Sequence, residues 1–194
     1  MNNFFDIENV DFKIGGNIKV KNVSFSIKNE GEIVCLLGPS GIGKTTILRS
    51  IAGLEKVNNG TIKLKGRLLS SNKENIEPEF RNISLSFQEN SLFPHYSIKK
   101  NIDLGTLRKG IDEKKKIDTN EIISLLNISH ILEKYPHQIS AGEAQRASLA
   151  RSLVSNPDLL LLDEPLSNID QSFKEEIQVK LKQILNELKI TTII

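Results

Sequence analysis

Between residues 38 and 46 the chain reads Gly38-Pro39-Ser40-Gly41-Ile42-Gly43-Lys44-Thr45-Thr46. Glycines at 38, 41 and 43 permit a tight turn whose backbone N–H groups aim inward, the arrangement that cradles phosphate oxygens. The lysine after the last glycine supplies an ammonium for the β- and γ-phosphates, and the Thr45 hydroxyl is placed to coordinate Mg²⁺. A second segment, Leu159-Leu160-Leu161-Leu162-Asp163-Glu164, sets two carboxylates at the end of an apolar run. Asp163 is expected to hold the Mg²⁺ through water, and Glu164 to polarise an attacking water as general base. The two segments point to nucleoside triphosphate chemistry without choosing between ATPase, GTPase and kinase. A GTPase is disfavoured, because no Asn-Lys-x-Asp guanine-reading motif occurs; Asn72-Lys73-Glu74-Asn75 ends in the wrong residue.

These groups need strands and helices to hold them. The apolar run Glu32–Leu37 predicts a buried strand leading into the glycine-rich turn, and Lys44–Ala52 a helix leaving it. The positive N-terminal end of that helix adds to the anion site. Leu159–Leu162, bounded by Asn156-Pro157 and Asp163, reads as a buried parallel strand. A loosely alternating strand is expected at Ile18–Ile27 and short ones at Thr61–Leu64 and Ile83–Phe87, and the stretch from Ser97 to Val154 is mainly helical. Gln171–Lys189 carries Phe173, Ile177, Leu181, Ile184, Leu185 and Leu188 on one stripe, an amphipathic helix. Ile190–Ile194 then opens another buried strand. Apolar strands alternating with helices indicate the α/β class with a mainly parallel sheet, into which the helix-rich middle is inserted.

A chain of 194 residues suits one domain with a sizeable core. Lys and Arg number 26 against 24 Asp and Glu, a net charge of +2, so bulk charge offers no nucleic-acid footprint and no nucleic-acid partner is expected. The single Cys35 excludes an internal disulfide and is expected as a small buried filler of its strand; His95, His130 and His137 lack metal-ligand spacing. The run Lys114–Lys116 reads as a solvated face. No apolar run approaches the ~20 residues of a membrane span, and Met1–Asp6 lacks the features of a signal peptide. A soluble cytoplasmic protein is expected.

The segment Tyr135-Pro-His-Gln-Ile-Ser140-Ala-Gly142-Glu-Ala-Gln-Arg146-Ala-Ser-Leu-Ala-Arg151 resembles the signature of ABC-type ATPases, usually L-S-G-G-Q followed by Q-R and A-R-A. Gln88 in its loop, the Asp163-Glu164 pair and Ser167-Asn168-Ile169-Asp170 match further ordered motifs, so the resemblance runs from Asn9 to Ile194. It implies one domain over 1–194: a P-loop NTPase core, an N-terminal antiparallel β subdomain and a helical subdomain at about 97–154. It also implies ATP with Mg²⁺ as ligands. Gly38, Pro39, Ser40, Gly41, Ile42, Gly43, Lys44, Thr45 and Thr46 would bind the phosphates, with Thr45, Gln88 and Asp163 around the metal. Gln88 would also contact the attacking water. Ser140, Ala141, Gly142 and Glu143 would complete the γ-phosphate site of a second copy, in a homodimer or a pair with another ABC ATPase subunit, with Asp170 at the seam. Three positions depart from the pattern: Ile139 for leucine, Ala141 for the first glycine and Glu143 for glutamine. The position of the adenine-stacking aromatic falls on Ile14, with Phe12 two residues away, so no residue is assigned to stacking.

Asn90–Ile102 is similar to the segment of bacterial importers for iron(III), polyamines and molybdate that meets the permease; Leu92-Phe93 beside Pro94 suits an exposed apolar anchor. The expected function is the ATP-hydrolysing subunit of such an importer. It would sit on the cytoplasmic face of the membrane through a separate permease, served indirectly by an extracytoplasmic solute-binding protein. Two alternatives stay open: a soluble ABC ATPase of translation or DNA repair, and a module that binds nucleotide without hydrolysing it. In the family a histidine contacting the γ-phosphate is expected a few residues past Ile194. The chain therefore reads as C-terminally truncated and is expected to bind ATP with little turnover.

Overall fold

The computed structural model describes residues 3–14, 17–39, 41–87, 91–107, 117–167 and 171–194. Ser40, Gln88, Asp170 and the run Lys114–Lys116 lie outside the described residues. An antiparallel sheet opens the chain: β1 (Phe5–Ile14) pairs with β2 (Asn17–Ile27), and further on with β4 (Thr61–Leu64), which pairs with β5 (Arg67–Ser71). Lys65 and Gly66, at φ 52° and 76°, form the two-residue turn between β4 and β5, the geometry whose twist matches the flanking strands. In β1 the buried residues are Phe5 and Ile7, then Val10 and Phe12. The two-residue period slips by one between Ile7 and Val10, where the register shifts and Asn9 sits at φ 52°. An irregularity of this kind keeps both halves of a long strand facing the core.

The second sheet is wholly parallel. It orders as β3 (Ile33–Val34), β8 (Thr191–Ile193), β7 (Leu159–Leu162), β6 (Ile83–Ser86). All four leucines of β7 are buried. Leu159 and Leu161 pack with α1 (Lys44–Ala52) and the antiparallel sheet, Leu160 and Leu162 with the helices of the opposite face. Those helices are α2 (Ile98–Thr106), α3 (Thr119–Leu125), α4 (Ala141–Val154) and α5 (Gln171–Glu187), with 3-10 turns at Ser129–Ile131 and Pro136–Gln138. The expected helical middle is thus a set of separate helices, each started by a side-chain cap where one is needed: Ser97 for α2, Asp118 for α3, Ser140 for α4. In α5, Ile177, Leu181, Ile184 and Leu185 form the buried stripe.

The strand before the glycine-rich turn departs from expectation. Only Ile33–Val34 joins the ladder as β3, extended by Leu36 N–H donating to Ile194 O at 2.6 Å and Ile194 N–H to Val34 O at 2.9 Å. Cys35 is exposed rather than a buried filler, and Leu37 is 92% exposed. The reason is position: β3 is the outer strand in the described sheet order, so its apolar run is covered less completely than that of the inner β7.

Arg81 joins the two layers. It is 1% exposed. Its guanidinium donates to the Ser50 and Ile51 carbonyls at the end of α1 (3.1 and 2.8 Å), to Leu69 O and Ser70 Oγ on β5 (3.2 and 2.7 Å), and to Asn75 Oδ1 and Ile76 O (2.9 and 2.7 Å). Burial pushes its pKa down to about 10, partly opposed by Glu77, so it remains a cation at neutral pH. A cation at a helix C-terminus is favoured by the aligned peptide dipoles. Arg81→Met would leave these buried acceptors unpaired, and we expect a loss of roughly 3 kcal/mol or more of stability, read from urea unfolding midpoints.

Candidate nucleotide-binding site

The glycine-rich loop leaves the carboxyl end of β3 and enters α1. Gly41 and Gly43 take φ 78° and 112°, a left-handed conformation that only glycine adopts cheaply. Gly43 is itself the N-cap of α1, with no side-chain cap and no acidic residue in the first turn. The first-turn N–H groups therefore keep their anion-binding capacity, undiminished by a local carboxylate. Lys44 curls back over the loop, its ammonium donating to Gly38 O at 2.7 Å and Pro39 O at 3.2 Å. Thr45 is exposed and Thr46 half-buried, so the Thr45 hydroxyl is open to a ligand. Pro39 and Ile42 are exposed members of the same loop.

Asp163 follows β7 directly. Because β3, β8 and β7 run parallel, their carboxyl ends share one sheet edge, where open α/β sheets hold ligands. One strand separates the loop from Asp163, so at normal strand spacing the two lie about 10 Å apart, room for a triphosphate and a cation between them. Asp163 is 6% exposed, and its N–H donates to Ser86 O at 3.1 Å. That bond ties it to the end of β6, two residues before Gln88. Glu164 is exposed beside it, at φ 48°. This left-handed turn takes its side chain out of the strand's line. Thr45 and Asp163 are hard oxygen donors of the kind Mg²⁺ takes alongside phosphate oxygens. An apolar cleft of about 650 Å³ runs beside Glu164, lined by Ile33, Cys35, Leu166 and Leu181 among others.

The other expected half-site lies elsewhere on the chain, at the start of α4. Ser140 is exposed and caps the helix: its hydroxyl accepts from Glu143 N–H at 3.3 Å and donates to Glu143 Oε2 at 2.8 Å, while its N–H donates to the same oxygen at 2.8 Å. Ala141 is exposed and Gly142 half-buried in the first turn. His130 Nε2 sits 2.9 Å from Glu143 Oε1. Gln145, to which the sequence assigned no role, connects this helix to the first site: its Nε2 donates to Glu164 O at 3.0 Å and to Ser167 Oγ at 3.2 Å. It is 2% exposed; a glutamine on the buried face of a helix one turn after Ser140 is the signal that would have found it. Phe12 is buried in the core and is not free to stack on a base.

The expected docking segment needs one correction. Leu92 is 8% exposed and belongs to the core, so it is no anchor; Phe93 alone is exposed, at 45%. Neighbouring residues of an extended stretch point to opposite sides, and only one of the pair can face outward. Phe93 forms an aromatic group with His95 and Tyr96, the last two with ring centroids 4.4 Å apart. They border an open cleft of about 600 Å³ that reaches Leu104, Arg151 and Ser155.

The Ser140 backbone N–H, above all, draws the Glu143 carboxyl from 4.5 down to about 2; partial burial opposes this, and the Ser140 hydroxyl and His130 add to it. A carboxyl with a lowered folded pKa contributes stability above its unfolded value and loses it as that pKa is approached. The parent chain should therefore lose more stability between pH 4.5 and 2 than Glu143→Gln does, measured by urea unfolding across that range.

The chain is similar to known proteins over most of its length. The family model described as ABC transporter matches residues 20–167. The Fe(3+) ions import ATP-binding protein FbpC of Fusobacterium nucleatum is 39% identical over 188 residues, covering 96% of this chain and 49% of that protein. The spermidine/putrescine import ATP-binding protein PotA of Pseudomonas fluorescens is 42% identical over 175 residues, 89% of this chain and 46% of that one. The chain thus spans about half the length of the curated relatives it matches. Among solved structures, the dimeric ATP-binding cassette MJ0796 bound to ADP and Pi superposes with TM-score 0.81 at 28% identity, covering 97% of this chain and 86% of the other. CbiO1 from Clostridium perfringens, part of the ABC transporter complex cbiONQ, gives 0.77 at 26%, covering 100% and 78%. The chain belongs to the ABC transporter family, and its fold is that of an ABC ATPase cassette.

Proposed function

We propose that this chain is the ATP-binding and ATP-hydrolysing part of an importer, acting in pairs on a separate membrane permease. The observation that carries the reading is the shared sheet edge: the phosphate loop after β3 and Asp163-Glu164 after β7, one strand apart. Lys44 would exchange its two loop carbonyls for β- and γ-phosphate oxygens, with the α1 N–H groups taking the rest of the charge. Thr45, Asp163 and Gln88 would hold Mg²⁺. The ion, when bound, neutralises phosphate charge and polarises the γ-phosphoryl group. Glu164 is then the general base toward the attacking water. Gln88 would contact the same water and connect that site to the helices.

Ser140, Ala141, Gly142 and Glu143 open α4, while the phosphate loop enters α1, and this division between two elements supports a second copy, arranged head to tail, completing each site. The solved dimer of a similar cassette is consistent with that arrangement. Phe93, His95 and Tyr96 at their open cleft suit a helix of the permease, within the segment Leu92–Ile102. No described helix is long and apolar enough to cross a membrane; attachment at the cytoplasmic face would then be peripheral, through that permease. The relatives are named for chemically unlike solutes, iron(III) and polyamines among them, which supports solute selection by the permease and an extracytoplasmic binding protein.

Lys44→Ala should weaken ATP binding by about tenfold or more, since it removes charge-assisted contacts, as read by equilibrium binding. Made in the whole protein, Glu164→Gln should keep the parent's ATP affinity, lower phosphate release by about a hundredfold, and accumulate an ATP-bound dimer in size-exclusion chromatography. Phosphate release at the parent rate would exclude Glu164 as the base.

A further inference from the structure

α4 starts at the expected trans half-site and runs to the cleft beside Phe93, so its attachments decide what moves with it. One of them is Arg151, in its last turn. The Arg151 guanidinium donates to Ser91 O at 2.9 Å and Ser91 Oγ at 2.8 Å, reaches Asn101 Oδ1 at 3.4 Å, and lies 5.4 Å from the centre of the Phe93 ring. Among the described residues no carboxylate stands within ion-pair distance of it. Burial pushes its pKa down. A partly desolvated cation held by carbonyl, hydroxyl and amide oxygens and one ring is costly to detach, because it leaves the buried Asn101 amide and the half-buried Ser91 carbonyl and hydroxyl short of a donor.

Asn101, on α2, is fully buried and does for the loop what a strand partner would. Its Oδ1 accepts from Phe93 N–H at 2.8 Å; its Nδ2 donates to Phe93 O, Tyr96 O and Ser97 O, each at 3.1 Å. α2 in turn is pressed against α4 at Gly105, where a Cβ would overlap the backbone carbonyl of Arg151 and crowd Val154. The first N–H groups of α2, at Ile98 and Lys99, donate to Lys134 O and Leu132 O at 2.8 Å, in the stretch that leads to Ser140. The aromatic loop, α2 and α4 are therefore joined at both ends of α4.

We infer that Arg151 and Asn101 are positioning residues that fasten the Ser91–Ser97 loop to α4, so that closure on nucleotide at the Ser140 end is delivered to the Phe93 docking surface as one rigid displacement. This rests on the proposed pairing around ATP. The alternative, a loop that merely packs against α4 and yields when it moves, makes a different prediction for amide exchange.

Hydrogen exchange of the whole chain with and without ATP and Mg²⁺ tests this. In the parent, nucleotide is expected to slow exchange about tenfold or more both at Ser140–Arg146 and at Phe93–Asn101. In Arg151→Met the slowing at Ser140–Arg146 and the ATP affinity persist, and the slowing at Phe93–Asn101 falls below about twofold. Arg151→Lys, which still reaches the Ser91 carbonyl, restores part of it. Ser91→Ala, a milder change that deletes one acceptor, gives a partial loss even if Arg151→Met does not fold. A parent that responds at Ser140–Arg146 alone, or an Arg151→Met or Ser91→Ala chain that responds as the parent does, overturns the inference and leaves the pairing standing. A parent in which neither segment responds overturns both.

Discussion

Parallel pairing of β3, β8, β7 and β6 is the constraint from which the rest of this molecule follows. Parallel strands cannot be joined by tight turns, so each must be followed by a crossover, and every strand ends on the same edge. The phosphate loop and the acidic pair lie far apart in the chain and meet only because β3 and β7 are both neighbours of β8. The same pairing demands a cover on both faces. α1 and the antiparallel sheet supply one, while α2, α4 and α5 supply the other. The ladder also leaves its outermost strand less covered, which is why Cys35 is exposed.

Two arginines, Arg81 buried and Arg151 half-buried, hold these layers together by the same physical device. Arg81 ties the end of α1 to β5, and Arg151 ties α4 to the aromatic loop. Neither has a carboxylate within ion-pair distance among the described residues. A planar guanidinium with five donors suits this role, because it can satisfy several carbonyls of irregular backbone at once. Each sits at the end of a helix whose other end is proposed to carry chemistry: the phosphate cradle for α1, the Ser140 turn for α4. Fastening the remote end leaves the N-terminus aimed, free of side-chain caps in α1 and closed by its own capping box in α4.

The proposed half-site at Ser140 shows how a departure from a family pattern can be absorbed locally. Glutamate at 143 in place of glutamine puts a carboxylate where an anion is expected to bind. In the structure that charge is spent on the helix's own N–H group and hydroxyl, with His130 alongside. The capping box accounts for why this substitution is compatible with a well-formed α4, since an acidic residue in a first turn is favoured by the dipole.

Local chemistry made much of this legible in advance. The glycine spacing at 38–43, the leucine run before Asp163 and the stripe on α5 each follow from the residues' own size, charge and period, so the loop, β7 and α5 could be read directly. β1 could not, because Asn9 shifts its alternation by one residue and hides the period. Nor could Arg81, Asn101, Gln145 and Arg151, whose partners lie mostly outside their own helical turn and are set only once strands and helices cross. Leu92 and Phe93 are chemically similar neighbours, yet one is core and the other surface. The sequence alone determined which groups could bind a phosphate and which strands and helices would carry most of them. Only the tertiary structure decided which groups share an edge, which face outward and which polar atoms are paired, because burial and hydrogen bonding belong to pairs of segments and not to one.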